Sequence, residues 1–406
     1  MKILLISITC LLFYACGGNR QKVQVIPTID IEEALKHFEK QPLSKYAKEI
    51  RYVTLESTEN GYITSKIRGV HHIDGLIYVR DSDPFLKVFD GHSGKHLFNV
   101  GSKGRGPGEL PYLAHYDINA KENLIILSWA RLSNQFDLKG NFLGSHRKPT
   151  INNDSLQLNY NVATLGKNIF ATGFRTFTGS QHDAVWVYNS RQEVLGKLKS
   201  YYKPLNAKSG WSPAAQGGLW QREGEDIYYY RGISDTIYRY NRADTLFNPF
   251  MAIKYGKHTP VFNSREWETP NDDEVLMVSF LTNGKSLFFL FVNKRASPEE
   301  YEDYSPLTDV PVKRMFNTLF GVYELATDNF RFVLQSVKGI PGLGNDLDGG
   351  LPFFPKSIST DNELVDYHYA DRFLELAALL PAPSEQFKKF VSTIKEDDNL
   401  IVVIAK

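Results

Sequence analysis

The first candidate for chemistry in this sequence is the glycine-rich loop at residues 101–109, in which glycines alternate around Arg105 and Glu109 follows directly. Glycine-rich loops cradle phosphates where they open a helix. Here proline interrupts the loop and the flanking segments favour strands, which argues against a dinucleotide site. The loop is most simply a connection between strands, stiffened by proline. Because such a loop ends at the rim of a sheet, Arg105 and Glu109 are also candidate ligand contacts.

A second candidate is the acidic segment at residues 344–350, which contains Asn345, Asp346 and Asp348. Oxygen ligands at alternate positions suit Ca²⁺, but the glutamate that closes a typical calcium loop is missing. The segment is therefore also explained by a turn in which Asn and Asp side chains bind the backbone. Asp346 and Asp348 are kept as candidate ligand-binding residues, with no metal assigned.

Motifs of catalysis and metal binding are missing from the sequence. The ten histidines include no His-Glu-x-x-His, and no Gly-x-Ser-x-Gly or nucleotide-binding P-loop is found. The two cysteines, Cys10 and Cys16, both lie at the amino terminus, which leaves no thiol for the rest of the chain. We therefore predict no catalytic residue, no cofactor and no metal.

Aromatic residues offer a different kind of site. The chain has 22 Tyr, 26 Phe and 5 Trp, more than turns require, and most are expected to pack between sheets. Trp211 and Trp220 lie in a Gly- and Ser-containing segment, residues 200–224, that has the composition of an inserted loop. Exposed there, they would form a platform for a glycan or a peptide. Folded over a sheet edge, they would only fill space.

The amino terminus predicts the destination of the protein. Lys2 is followed by a short apolar run that is too short to span a bilayer. Residues 12–16, Leu-Phe-Tyr-Ala-Cys, resemble a bacterial lipobox, which implies a signal peptide over residues 1–15 and lipidation of Cys16. An ordinary cleaved signal peptide is the alternative. We expect the lipid to be the only attachment to the membrane, since no later segment is apolar over a bilayer's width.

The composition argues against one class of binding partner. The 406 residues carry 47 basic and 46 acidic side chains, a net charge of +1, so a partner rich in phosphates, such as a nucleic acid, is not expected. An apolar content of 42% is enough for a large core. We expect a monomer that binds a protein, peptide or glycan ligand.

From residue 50 onward, short strand-like runs alternate with Gly, Asp and Asn turns. One unit reads from residue 74 through Phe89-Asp90 to a turn at Gly94, and a second reads from residue 121 through Phe136-Asp137 to a turn at Gly140. Weaker copies follow along the chain. Six units of about 60 residues each suit a β-propeller of four-stranded antiparallel blades.

The two ends of the predicted propeller are expected to meet. The last strand, near residues 400–405, is apolar, and we predict that it shares a blade with residues 51–56. Before the propeller, which spans residues 50–406, we expect a tether and short helix over residues 16–49. The helix is predicted over residues 31–39, with Asp30 as its cap.

Several segments together resemble one family. The loop Gly-Arg-Gly-Pro-Gly-Glu at residues 104–109, Asp-Thr-Ile-Tyr at 235–238, Asn-Asp-Leu-Asp-Gly-Gly at 345–350 and the closing strand at 399–406 are similar to segments of TolB/NHL-like six-bladed propeller lipoproteins of the Bacteroidetes. The resemblance implies an all-β propeller and a cell-envelope location. It implies no reaction.

Two classes of function stay open from the sequence. The first is a non-catalytic lipoprotein that binds a ligand or protein partner on one face of the propeller. The second is a hydrolase or lyase with its active site at the mouth of the channel, since propellers serve both purposes. The basic residues after Cys16 favour the periplasmic leaflet of the outer membrane over the cell surface.

Overall fold

A computed structural model of the chain describes residues 26–64, 66–149, 161–174, 183–200, 218–231, 234–260, 273–293, 317–337 and 340–406. These residues form six small sheets arranged in a ring, which confirms the predicted six-bladed β-propeller. Cys16 and Trp211 lie outside the described residues.

The first three blades follow the chain from the innermost strand to the outermost one. The strands of blade 1 are Gly69–Ile73, Leu76–Arg80, Leu86–Asp90 and His96–Val100. Those of blade 2 are His115–Asn119, Leu124–Trp129, Leu132–Phe136 and Phe142–Arg147. Those of blade 3 are Asn161–Gly166, Ile169–Gly173, Asp183–Asn189 and Val194–Lys199.

Blades 4 and 5 keep the same order. The strands of blade 4 are Leu219–Glu223, Asp226–Tyr230, Thr236–Asn241 and Leu246–Lys254. Those of blade 5 are Leu276–Thr282, Ser286–Asn293, Asn317–Glu324 and Asn329–Val333. All eight residues of Ser286–Asn293 are buried, because a strand inside a blade is covered by neighbouring blades on both faces.

The Phe-Asp repeat of the sequence corresponds to one recurring turn, between the third and outermost strands of a blade. In blade 1, Asp90 Oδ1 accepts hydrogen bonds from the N–H groups of His92 and Ser93, and Gly94 follows with φ +72°. In blade 2, the Asp137 carboxylate accepts the N–H of Asn141, 2.8 Å away. These aspartates act through local backbone geometry, which is why the repeat is readable in the sequence.

Blade 6 joins the two ends of the chain. Its strands, from the innermost outward, are Ser357–Ile358, Leu364–His368, Ile401–Ala405 and Ile50–Thr54. The pairing of Ile401 with Thr54 and of Ala405 with Ile50 confirms the predicted closure. Two helices, Ala370–Ala378 and Glu385–Val391, are inserted before the third strand of this blade.

The segment that precedes the propeller adds strands to it. Thr28–Asp30 pairs in parallel with the outermost strand of blade 4, and Phe38–Glu39 with that of blade 5, so these two sheets have five strands. The helix is shorter than predicted, covering only Ile31–Ala34, with Asp30 as its cap. It ends early because Phe38 stacks on Phe332 of blade 5, at 5.5 Å between ring centroids, and continues as a strand.

Deletion of residues 400–406 is expected to abolish cooperative unfolding, because it removes the third strand of blade 6 and leaves Ile50–Thr54 without its partner. Urea unfolding followed by circular dichroism measures this. The control is Val194→Thr on the exposed outermost strand of blade 3, expected within about 0.5 kcal/mol of the unaltered chain. A truncated chain that unfolds in one transition at the unaltered midpoint would contradict the closure.

Candidate functional site

The axis of the ring contains a cavity of about 820 Å³ that is lined by residues from all six blades. Each innermost strand contributes to its wall; representative lining residues are His71, Asp117, Asn161, Arg222, Leu281 and Ser357. The volume lies within the range of small-molecule sites in proteins, about 300–1,000 Å³. The cavity is therefore the candidate functional site.

One ion pair ties three blades together at the wall of this cavity. Arg222 of blade 4 donates through Nη2 to Asp117 Oδ2 of blade 2, at 2.7 Å. The same nitrogen donates to the carbonyl oxygen of Thr164 in blade 3, also at 2.7 Å. Asp117 Oδ2 in turn accepts the N–H and the hydroxyl of Thr164, at 2.7 and 2.8 Å.

The charge on Asp117 is well compensated. Its side chain is 13% exposed and that of Arg222 is 15% exposed. Burial alone would raise the pKa of Asp117, but the Arg222 charge and the hydrogen bonds from Thr164 lower it below its usual value. Asp117 is therefore an ionised structural partner of Arg222 and is poorly suited to accept a proton from a substrate.

Two histidines lie beside this ion pair. His71 Nε2 is hydrogen-bonded to the Tyr116 hydroxyl at 2.7 Å, and His115 Nδ1 accepts the N–H of Val162 at 3.3 Å. Burial lowers the pKa of each histidine to about 4 and raises that of Tyr116. All three side chains are consequently neutral at pH 7, and their rings present polar atoms without charge.

The two ends of the cavity differ in charge. At the basic end, where the innermost strands begin, it is lined by Arg68, Arg80 and Lys356. At the acidic end, where those strands terminate, the lining includes Asp74, Glu223 and Glu225 together with Lys121. Lys121 forms an ion pair with Glu225, and Lys356 forms one with Asp366.

Of the two tryptophans selected from the sequence, Trp220 lines the cavity. It lies on the innermost strand of blade 4 and packs against Tyr229 and Phe247, at 4.9 and 5.7 Å between ring centroids. Its Nε1–H is buried and has no acceptor among the described residues. Its contact with a ligand stays a prediction, as does that of Trp211, which the described residues do not include.

The glycine-rich loop lies outside the cavity. Glu109 Oε2 accepts the N–H groups of Arg105 and Gly106, at 2.9 and 2.8 Å, so the carboxylate folds the loop onto itself. A side chain at Gly104 would meet that carboxylate at 1.9 Å, which explains the glycine. The cavity wall includes neither Arg105 nor Glu109, and their binding of a ligand stays a prediction.

The acidic segment joins the amino-terminal segment to blade 6. Asp346 accepts the N–H of Ser44 at 2.9 Å and also its hydroxyl, and Asp348 accepts the Tyr52 hydroxyl at 2.9 Å and the Asn345 amide at 2.7 Å. Over the described ranges, no three His, Cys, Asp or Glu side chains are grouped to hold a metal ion. These contacts fit the interpretation of the segment as a turn that is rich in Asn and Asp. Ligand binding by Asp346 or Asp348 stays a prediction.

Sequence reasoning missed most of the cavity wall. The candidate residues chosen from the sequence do not include His71, Tyr116, Asp117 or Arg222. Their partners lie 45 to 105 residues away in the chain, so no local spacing indicates them. These residues share one feature in the sequence. Each is a polar residue on a short strand, and the strand that follows it directly is apolar.

The fold and the cavity define a class: a six-bladed β-propeller with a cavity on its axis whose wall carries both polar and apolar side chains. The chain belongs to the family described as a domain of unknown function, DUF4934, whose model matches residues 26–406. Comparison with curated proteins finds no match. The expected relationship to TolB and NHL propellers stays a prediction.

Two solved structures share the fold. A protein of Bacteroides fragilis that is described as exported has a TM-score of 0.64 at 15% identity, covering 94% of this chain and 99% of its own. A member of the DUF4221 family from Bacteroides vulgatus has a TM-score of 0.51 at 10% identity, covering 88% of this chain and 96% of its own. Among the described helices of this protein, none is long and apolar enough to cross a membrane.

Replacement of Arg222 by Met is expected to lower the free energy of unfolding by about 3–5 kcal/mol, because it leaves the buried Asp117 without its partner. The double variant Asp117→Leu with Arg222→Met should recover much of that loss. Urea unfolding of both variants and of Asp117→Leu completes the cycle.

The matched control breaks an exposed ion pair. Lys388 and Glu385 are 52% and 89% exposed, so Lys388→Met should cost less than about 1 kcal/mol. If the double variant lost as much stability as the two single variants together, Asp117 and Arg222 would not be coupled.

Proposed function

We propose that this protein is a cell-envelope propeller that binds a small polar ligand in its central cavity. The observation that carries the proposal is the cavity of about 820 Å³, whose wall combines polar side chains from several blades. Propellers of this size could fill their axis with apolar side chains, and doing so would avoid the cost of burying polar groups. The retention of a large cavity with charged and polar side chains in its wall favours a bound molecule.

The wall has the character of a recognition site. Neutral hydrogen-bonding groups from His71, His115 and Tyr116 lie between a basic and an acidic end, so a ligand can be both bound and oriented. Most of these groups are held by contacts between blades, which fixes their positions before a ligand arrives. Preformed sites bind at lower entropic cost.

We also propose that the protein is exported and anchored by lipid at Cys16, on the periplasmic leaflet of the outer membrane. The support is the lipobox-like sequence at residues 12–16 and the description of a structural neighbour as exported. A lipid anchor would leave the whole propeller in the aqueous compartment, with its cavity open to solutes.

A catalytic function is the second candidate, because one observation favours it. Buried histidines with strongly lowered pKa values are common in active sites, and His71 and His115 are such residues. Asp117 is a poor candidate for a catalytic base, because its carboxylate already accepts hydrogen bonds from Thr164 and Arg222. Binding without turnover is therefore the proposal that the geometry supports better.

Ligand binding is tested with a library of sugars, amino acids, short peptides and organic acids, using native mass spectrometry of the purified protein. We expect a one-to-one complex that Ala114→Trp weakens by about tenfold or more, because Ala114 lines the cavity and an indole would fill part of it. The matched control is Ala243→Trp in an exposed turn, which should bind normally.

Three results of that experiment would decide the function. Equal binding by both tryptophan variants would place the ligand outside the cavity. Failure of the whole library to bind would contradict the proposed function. Recovery of the bound compound with an altered mass would replace binding with catalysis.

The anchor is tested by Cys16→Ser in the full chain. We expect the unaltered protein in the membrane fraction and the variant in the soluble fraction, since the variant has no thiol to acylate. Lys22→Ser is the control and should remain with membranes. Recovery of Cys16→Ser in membranes to the same extent would contradict lipidation at this residue.

A further inference from the structure

We propose that the ligand of the central cavity is a small organic acid, and that the guanidinium groups of Arg68 and Arg80 bind its carboxylate or phosphate group. This inference rests on the proposed function and adds the chemical class of the ligand and the end of the cavity at which it is recognised.

The two arginines are neighbours on blade 1. Arg68 directly precedes the innermost strand and Arg80 ends the second strand, and the N–H of Arg68 donates to the carbonyl of Arg80 at 2.7 Å. Both line the cavity at its basic end. Strand pairing therefore holds two positive charges on one wall.

Arg80 is a buried cation without a carboxylate partner. It is 5% exposed, and its guanidinium donates to the backbone carbonyls of Leu113 and Asp83, at 2.6 and 3.3 Å. No carboxylate oxygen of the described residues lies within 4.0 Å of Arg68 or Arg80. Buried charges are normally paired, so this arrangement lacks an anion.

The nearest acids do not pair with Arg80 directly, although the charges of Asp81 and Asp83 act favourably on it from a distance. Asp81 and Asp83 both bind Lys87, at 2.6 and 2.5 Å from its Nζ. Burial lowers the pKa of Arg80 and the nearby charge of Arg68 adds to this shift, while the charges of Asp81 and Asp83 oppose it. Two cations held close to each other destabilise the empty site, and a bound anion would relieve their repulsion.

The electrostatic field along the cavity also favours binding of an anionic group at the basic end. Lys356 precedes the innermost strand of blade 6, as Arg68 precedes that of blade 1, although Asp366 partly neutralises it. Asp74 and Glu223 line the opposite end and would repel an acid. An acidic ligand is therefore drawn to the basic end and held with its anionic group at the two arginines.

The geometry of guanidinium selects the type of anion. Its planar set of N–H groups matches the oxygens of a carboxylate or a phosphate. A cavity of about 820 Å³ is far larger than either group alone. The anion is therefore part of a larger organic molecule whose remainder contacts the neutral wall.

The test compares acids with neutral counterparts by isothermal titration calorimetry on the purified protein. The pairs are galacturonate and galactose, glucose 6-phosphate and glucose, and glutamate and glutamine, with inorganic phosphate added alone. We expect at least one organic acid to bind about tenfold or more tightly than its neutral counterpart and than inorganic phosphate.

Variants assign that preference to the two arginines. Arg68 is exposed, so Arg68→Gln should fold normally and weaken binding of the acid by about tenfold or more. Arg80→Lys keeps the positive charge but removes the planar guanidinium group, and it should also weaken binding of the acid. Arg191→Gln, in an exposed turn of blade 3, is the matched control and should bind as the unaltered protein does.

Two sets of results would overturn the inference. Neutral compounds that bind as tightly as the acids, or Arg68→Gln that binds as tightly as Arg191→Gln, would exclude recognition of an anion while leaving the proposed function intact. If no acid binds, the inference also fails. The proposed function is then judged separately by the library experiment with Ala114→Trp.

Discussion

The pairing of Ile401–Ala405 with Ile50–Thr54 is the constraint on which the rest of this structure depends. The innermost strands of the blades carry polar side chains. These side chains form hydrogen bonds and ion pairs with other blades when the blades are arranged in a ring. Arg222 of blade 4, for example, meets Asp117 of blade 2 across Thr164 of blade 3. The central cavity is thus a product of closure and belongs to no single blade.

The polar groups around the cavity fall into two kinds. Asp117 and Arg222 form an ion pair that stabilises the contact between blades. Arg68 and Arg80 lie at the same cavity but have no carboxylate partner among the described residues, and Arg80 is buried. A protein under selection for stability alone would be expected to pair or remove such a charge, because its desolvation is costly. This contrast is the basis for assigning a ligand to the basic end.

Local features of the sequence predicted much of the fold. The turns after Phe89-Asp90 and Phe136-Asp137 are readable because the aspartate binds the backbone a few residues away. The innermost strands were missed, and residues 74–81, expected to begin a blade, contain its second strand instead. Polar residues such as Tyr116 and Asp117 give no apolar pattern, and their partners come from distant blades. The glycine-rich loop is likewise a local feature, since Glu109 folds it by accepting the N–H groups of Arg105 and Gly106.

The central claim is that an organic acid occupies the axial cavity. The most direct measurement is the crystal structure of the protein purified, without added ligand, from membranes of the cells that produce it. The account predicts electron density for an organic molecule in the cavity, with an anionic group within hydrogen-bonding distance of the Arg68 and Arg80 side chains. Density for water alone in the cavity, with an organic molecule bound on the outer surface of the propeller, would contradict it.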